Sequence, residues 1–148
     1  MLSKGANITT PVAAYLTKAP RLDPKAATFT FTAQKTMYGG KNIAAGDVIY
    51  LFDSENEGGV GLVARGVVTS ARPTPRKPGV ARQTPRVSIT VKRTALARRR
   101  FGRAELKPFS NWEDGRPETE LNFKFYRQAT NKIGGISPAA AALLERFF

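Results

Sequence analysis

Thirteen of the 24 Lys and Arg residues lie between Arg65 and Lys107, a window whose single acid is Glu105, whereas the rest of the chain is close to neutral. A cation cluster of this kind suits a polyanion, because every phosphate it neutralises releases counterions and adds affinity without regard to sequence. The candidate phosphate ligands are Arg72, Arg76, Lys77, Arg82 and Arg86 in the proline-rich run 71–86, and Arg98, Arg99 and Arg100, which run straight into Phe101. Lys41 joins them from the segment M-Y-G-G-K-N at 37–42. A merely solvated basic surface is the other reading of the same charges.

That segment sets an aromatic, a cation and an amide around two glycines. Paired glycines either only turn the chain or let backbone approach a ligand closely. In the second case Tyr38 can stack on a flat polar ring, Gly39 can admit it, and Asn42 can hydrogen-bond its edge. It is not a phosphate-binding loop of the G-x-x-x-x-G-K-[ST] type. Trp112, the one tryptophan, is either core or a stacking platform. Arg127 ends an apolar stretch and either pairs with a carboxylate or looks into a pocket mouth; Gln128 and Asn131 follow it as polar candidates for the same pocket.

The chain has neither cysteine nor histidine, which removes thiolate chemistry and the commonest metal ligand and general base. Only carboxylates, Lys, Tyr, Ser and Thr remain for catalysis. Asp53, Glu55 and Glu57 do not follow the spacing of a calcium loop, so an exposed acidic turn is expected, with no metal and no cofactor. A hydrolase acting on RNA or nucleosides would have to draw on Tyr38, Lys41 and these three acids. An accessory module, its basic arm on ribosomal RNA or an acidic protein, is a third alternative. No apolar run is long enough for a membrane span, and residues 1–16 lack a signal-peptide core; a cytoplasmic location is expected.

These residues need a scaffold, and 148 residues with 41% hydrophobic content suit a single domain, 1–148. Strands are expected at 12–17, 27–34, 48–52, 62–68, 85–94 and 121–127, a helical turn at 103–106, and a helix at 138–148 behind Ser137-Pro138. The hairpin 46–69 is the centre of this scheme. Both parities of 48–52 are apolar, so that strand should be covered on both faces. Residues 71–86 hold four prolines and little apolar surface, which predicts an extended arm between two strands.

Four stretches together resemble the EVE branch of the PUA-like superfamily, relatives of the YTH, ASCH and SRA-type domains. They are AYLTKAP at 14–20; the 39–42 loop, similar to W-D-G-V-R-N; GDVIYLFDSEN with GLVARGVV, similar to G-D-x-x-x-x-Y-H-S-N and its following strand; and NFKFYRQATNKIGGISPAAAALLERFF. Met37 stands where that pattern has tryptophan, and Phe52-Asp53-Ser54-Glu55-Asn56 stands at Y-H-S-N. The resemblance implies an α+β, mostly β fold, a strongly bent and partly open barrel with flanking helices. It also implies a concave pocket in which a base turned out of its stack is held by stacking and edge contacts. It carries over Gly39, Asn42, Phe52 and Ser54. A non-catalytic reader of nucleic acid, DNA or RNA, with a modified base as the candidate ligand of its pocket and phosphates held by the basic arm, is the function expected of it.

Overall fold

The computed structural model describes residues 11–128 and 131–148. Six strands form a closed barrel: β1 (Ala14–Ala19), β2 (Thr28–Met37), β3 (Val48–Asp53), β4 (Gly61–Pro73), β5 (Arg86–Leu96) and β6 (Ile133–Ile136), in the order β1-β3-β4-β5-β2-β6. Helices α1 (Arg103–Leu106), α2 (Pro117–Asn122) and α3 (Pro138–Glu145) flank it. The mostly β, α+β class is therefore the observed one.

Alternation along β3 places the two halves of the core. Ile49 and Leu51 point into the barrel with Phe29, Phe31, Val68, Val87, Ile89 and Val91. Tyr50 and Phe52 point outward beneath the helices, with Leu16, Phe101, Leu106, Leu121, Phe125 and Leu144. Helices thus cover β1, β3 and β6. Arg65 Nη1 lies 2.5 Å from Glu145 Oε1, and the Tyr50 hydroxyl also donates to Glu145, tying the end of α3 to the sheet.

Where a partly open barrel was expected, β6 closes it, antiparallel to β1 and parallel to β2. Its sequence, Ile133-Gly134-Gly135-Ile136, reads as a turn because half of it has no side chain. The same property lets the neighbours approach: a Cβ on Gly135 would lie 2.5 Å from Tyr38 O, and one on Gly134 2.8 Å from the Phe125 ring.

Residues 121–127 are helical, correcting the strand expected there. Pro117 opens α2, and the chain continues as a π-helical turn over Phe123–Gln128. The alternation of Leu121, Phe123 and Phe125 masked a spacing of four: Leu121 and Phe125 are buried, while Phe123 is half-buried against Trp112. The arm is shorter than the sequence indicated, since β4 runs on to Pro73 and leaves the loop 74–85. Gln83 gives that loop a clasp. Its side chain accepts from Lys77 N at 2.8 Å and donates to Lys77 O and Val80 O at 2.9 and 2.8 Å.

Candidate nucleic-acid interface

β2 ends at Met37, and the chain there turns through two left-handed residues, Tyr38 at φ 54° and Gly39 at φ 80°. A left-handed tyrosine is strained by roughly 1–2 kcal/mol, and such strain persists only where the surroundings enforce it. Gly135 N holds the turn by donating to Tyr38 O at 3.1 Å. Tyr38 and Gly39 thereby line a cavity of about 330 Å³ with Pro11, Val12, Lys124, Ile136 and Ser137. Partial burial raises the pKa of the Tyr38 phenol, so it stays a neutral donor.

The polar side of this cavity comes from the π-helical turn and from α3. Lys124 Nζ stands 4.9 Å from the Tyr38 ring centroid and donates 3.0 Å hydrogen bonds to Glu120 Oε2 and Gly135 O. Ser137 N donates to Glu120 Oε2 at 2.8 Å, and the Ser137 hydroxyl, which caps α3 through Ala140 N, donates to Glu120 Oε1. Lys124 also borders a smaller cavity, about 210 Å³, with Trp112, Arg116, Glu120 and Phe123. None of Glu120, Lys124 and Ser137 stood among the sequence candidates. Their signal was the i,i+4 Glu120–Lys124 pair, hidden by reading 121–127 as a strand.

Two residues past Gly39 the same loop enters a second cavity. Lys41 and Asn42 line a space of about 600 Å³ together with Lys35, Arg76, Lys77, Arg82, Gln83 and Arg86. Five of the nine sequence-derived phosphate ligands meet here, and Lys35 adds a sixth cation that the sequence reading missed. Asn42 belongs with these cations rather than with Tyr38. Arg72 is exposed on β4 beside Ser88. Arg98, Arg99 and Arg100 lie beyond the other end of β5, lining a separate cavity of about 370 Å³. The Arg99 guanidinium donates to Arg146 O at 2.7 Å and covers the Phe147 ring at 4.5 Å.

The remaining base-pocket candidates do not converge on Tyr38. Phe52 is 1% exposed and packs on Phe101 in the core, because the outward face of β3 lies under the helices. Ser54 is buried at the far end of β1, where its N–H donates to Ala19 O at 2.9 Å. Trp112 is partly exposed and packs on Phe123 with the rings tilted by 59°, and the Arg127 guanidinium sits 5.2 Å from its ring centroid. Among the described residues the partner of Arg127 is this ring and not a carboxylate. Gln128 is exposed; Asn131 is exposed and left-handed, and its carbonyl accepts from Gln34 Nε2 at 2.7 Å.

Near Ser54 lies a polar cluster that the sequence did not signal. Lys18 is 1% exposed, with Nζ 3.9 Å from the Tyr126 ring centroid. Tyr126 OH donates to Glu55 Oε1 at 2.5 Å, and Arg103 N donates to Glu55 Oε2 at 2.9 Å. Burial lowers the Lys18 pKa to about 8, helped by the Arg103 charge and opposed by Glu55. Burial and the Glu55 hydrogen bond raise that of Tyr126. The acids of a hydrolase, Asp53 and Glu55, sit at this end of β1, away from Tyr38 at the other. Among the described residues no group of acidic side chains is arranged to hold a metal ion, and no helix is long and apolar enough to cross a membrane.

No family model matches the chain, and no curated protein matches its sequence. Solved structures do match its fold. The human THYN1 protein in complex with 5-methylcytosine containing DNA superimposes with a TM-score of 0.60 at 16% identity, over 90% of this chain and 96% of that one. The DUF55 domain of human thymocyte nuclear protein 1 gives 0.60 at 17%, over 88% and 95%. A hypothetical protein from Leishmania major gives 0.61 at 16%, over 92% and 94%. The chain thus shares the fold of these structures, a barrel with flanking helices, which is the fold that the EVE-like resemblance implied.

Proposed function

We propose that this chain is a non-catalytic nucleic-acid-binding module, in which one base, a modified one by analogy of fold, is held beside Tyr38 while cations of the arm hold the backbone. One observation carries the reading: the loop 38–42 lines the Tyr38 cavity with its first two residues and the cationic cavity with Lys41 and Asn42. A nucleotide has the same two ends, a flat ring and a phosphate. Tyr38 would stack on the ring, Lys124 and Ser137 would meet polar atoms at its edge, and Lys41, Arg76, Lys77, Arg82 and Arg86 would neutralise phosphates. The Tyr38 cavity, about 330 Å³, lies at the low end of the 300–1,000 Å³ range of small-ligand sites. In keeping with this reading, a solved structure of the same fold is that of a human protein in complex with 5-methylcytosine containing DNA.

The test is a titration of fluorescent oligonucleotides, with and without modified bases, at several salt concentrations. Affinity should fall steeply with salt, and one base should be preferred over its unmodified form. Absence of binding, or affinity indifferent to salt, would overturn the proposal.

A further inference from the structure

The helices leave one side of the barrel bare, and its composition is unusual. Across β2, β5 and β4 the outward residues run in rows fixed by strand register: Thr28 beside Lys92, Thr30 beside Thr90 and then Ser70, Ser88 beside Arg72, and Lys35 beside Arg86. Thr28, Thr30, Ser70, Arg72, Lys35, Arg86 and Lys92 are exposed. No outward residue of these rows is acidic, and none is aromatic. Ordinary solvated sheets mix both signs of charge; this one offers only cations and hydroxyls.

Both absences have consequences for a partner. Without acids, nothing on the face repels phosphate, and hydroxyls and guanidinium groups are the usual donors to phosphate oxygens. Without aromatics, the face has nothing on which unpaired bases can stack, which is how single strands are gripped. It can read a backbone whose bases are already stacked inward.

Resting on the nucleic-acid reading above, we propose that the outer face of β2, β5 and β4 is a docking surface for the backbone of a nucleic-acid duplex. β5 has eleven residues, so at about 3.3 Å per residue the arm and the Arg98–Arg100 cluster stand roughly 33–36 Å apart. One turn of B-form DNA covers about 34–36 Å. Arm cations at one end and Arg98 or Arg100 at the other would then meet phosphates about one turn apart, with Lys92 between them, while Arg99 is held against Phe147 and the Arg146 carbonyl. The loop 38–42, which follows β2 at the arm end, then lies where a base turned out of that duplex would arrive.

The experiment compares the wild type with Arg72→Glu/Lys92→Glu, two exposed face residues outside the cationic cavity, and with Lys107→Glu/Arg116→Glu, which makes the same charge change among the helices. Each is titrated with a duplex and with one of its single strands across a salt series. At about 0.9 of slope per phosphate contact, the face variant should lose roughly 2 from the salt slope for duplex. The helix-side variant should lose almost none. The wild type should bind duplex more tightly than single strand. Equal slopes in the two variants, or tighter binding of the single strand, would overturn this surface while leaving the base-holding proposal standing. Failure of the wild type to bind either nucleic acid would overturn both. Unchanged far-UV circular dichroism confirms that the exposed substitutions leave the fold intact.

Discussion

Lys124 Nζ stands 4.9 Å from the ring centroid of Tyr38 while hydrogen-bonding Glu120 and the carbonyl of Gly135. The ammonium group is thereby fixed on three sides and faces the cavity with its remaining surface. Tyr38 is fixed independently, through its backbone. A ring and a cation held by different elements make a rigid recess, and rigidity lets a recess discriminate among similar ligands.

Tyr38→Ala should therefore abolish preference for one base while leaving salt-dependent backbone affinity in place. Stacking on an aromatic is worth about 1–3 kcal/mol per base, so the preferred ligand should lose roughly tenfold or more. Tyr38→Phe should keep most of the preference. Competition titrations with paired modified and unmodified oligonucleotides measure both.

The left-handed backbone of Tyr38 predicts an inverted stability order. Glycine ordinarily destabilises relative to alanine by about 0.5–1 kcal/mol. At position 38 the left-handed conformation costs alanine about 1–2 kcal/mol that glycine does not bear. Urea unfolding should show Tyr38→Gly more stable than Tyr38→Ala, and the usual order would remove the case for strain.

Glu120 supports Lys124, Ser137 N and the Ser137 hydroxyl at once. Glu120→Ala leaves three half-buried donors short of an acceptor and weakens the cap of α3, a loss on the order of 2–4 kcal/mol. Glu120→Gln retains an acceptor for Ser137 but no charge for Lys124, and should fall between wild type and alanine. Chemical denaturation of the three proteins at neutral pH gives the order.

Lys18 makes stability depend on pH. Its pKa is lowered by burial, first, and by Arg103 to about 8, below the ordinary lysine value of 10.5. The unfolded chain then binds more protons than the native one between these values, so this residue makes stability rise as pH increases from about 8 to 10. The rise is on the order of 2 kcal/mol. Tyr15, Tyr38, Tyr50 and Tyr126 all have raised pKa values, chiefly from burial. They act in the opposite sense, so stability should decline above pH 10. Lys18→Met should lose the rise between pH 8 and 10 and keep the decline, as read by urea unfolding across the pH series.

Much of the architecture was legible in local patterns. Strict alternation marked β2 and β5, apolar residues of both parities marked β3 as doubly covered, and Ser137-Pro138 marked the start of α3. The charge window from Arg65 to Lys107 was legible too, since it needs only counting. Two elements were misread for opposite reasons. β6 is a strand without enough side chains to show its period. Residues 121–127 alternate in hydrophobicity, yet tertiary packing needed Leu121 and Phe125 on one face and Glu120 beside Lys124, which only a helical backbone provides.

Sequence by itself determined the cation-rich character of the chain, the strand order in the central hairpin and the turn at Tyr38 to Asn42, because these depend on composition and near neighbours. Only the tertiary structure decided which candidates meet. β1 separates Tyr38 from Phe52 and Ser54 by its own length, β5 separates the arm from Arg98–Arg100, and barrel closure through β6 brings Lys124, Glu120 and Ser137 to Tyr38 instead. Distance across a closed sheet is set by pairing between residues far apart in the chain, and no local pattern carries it.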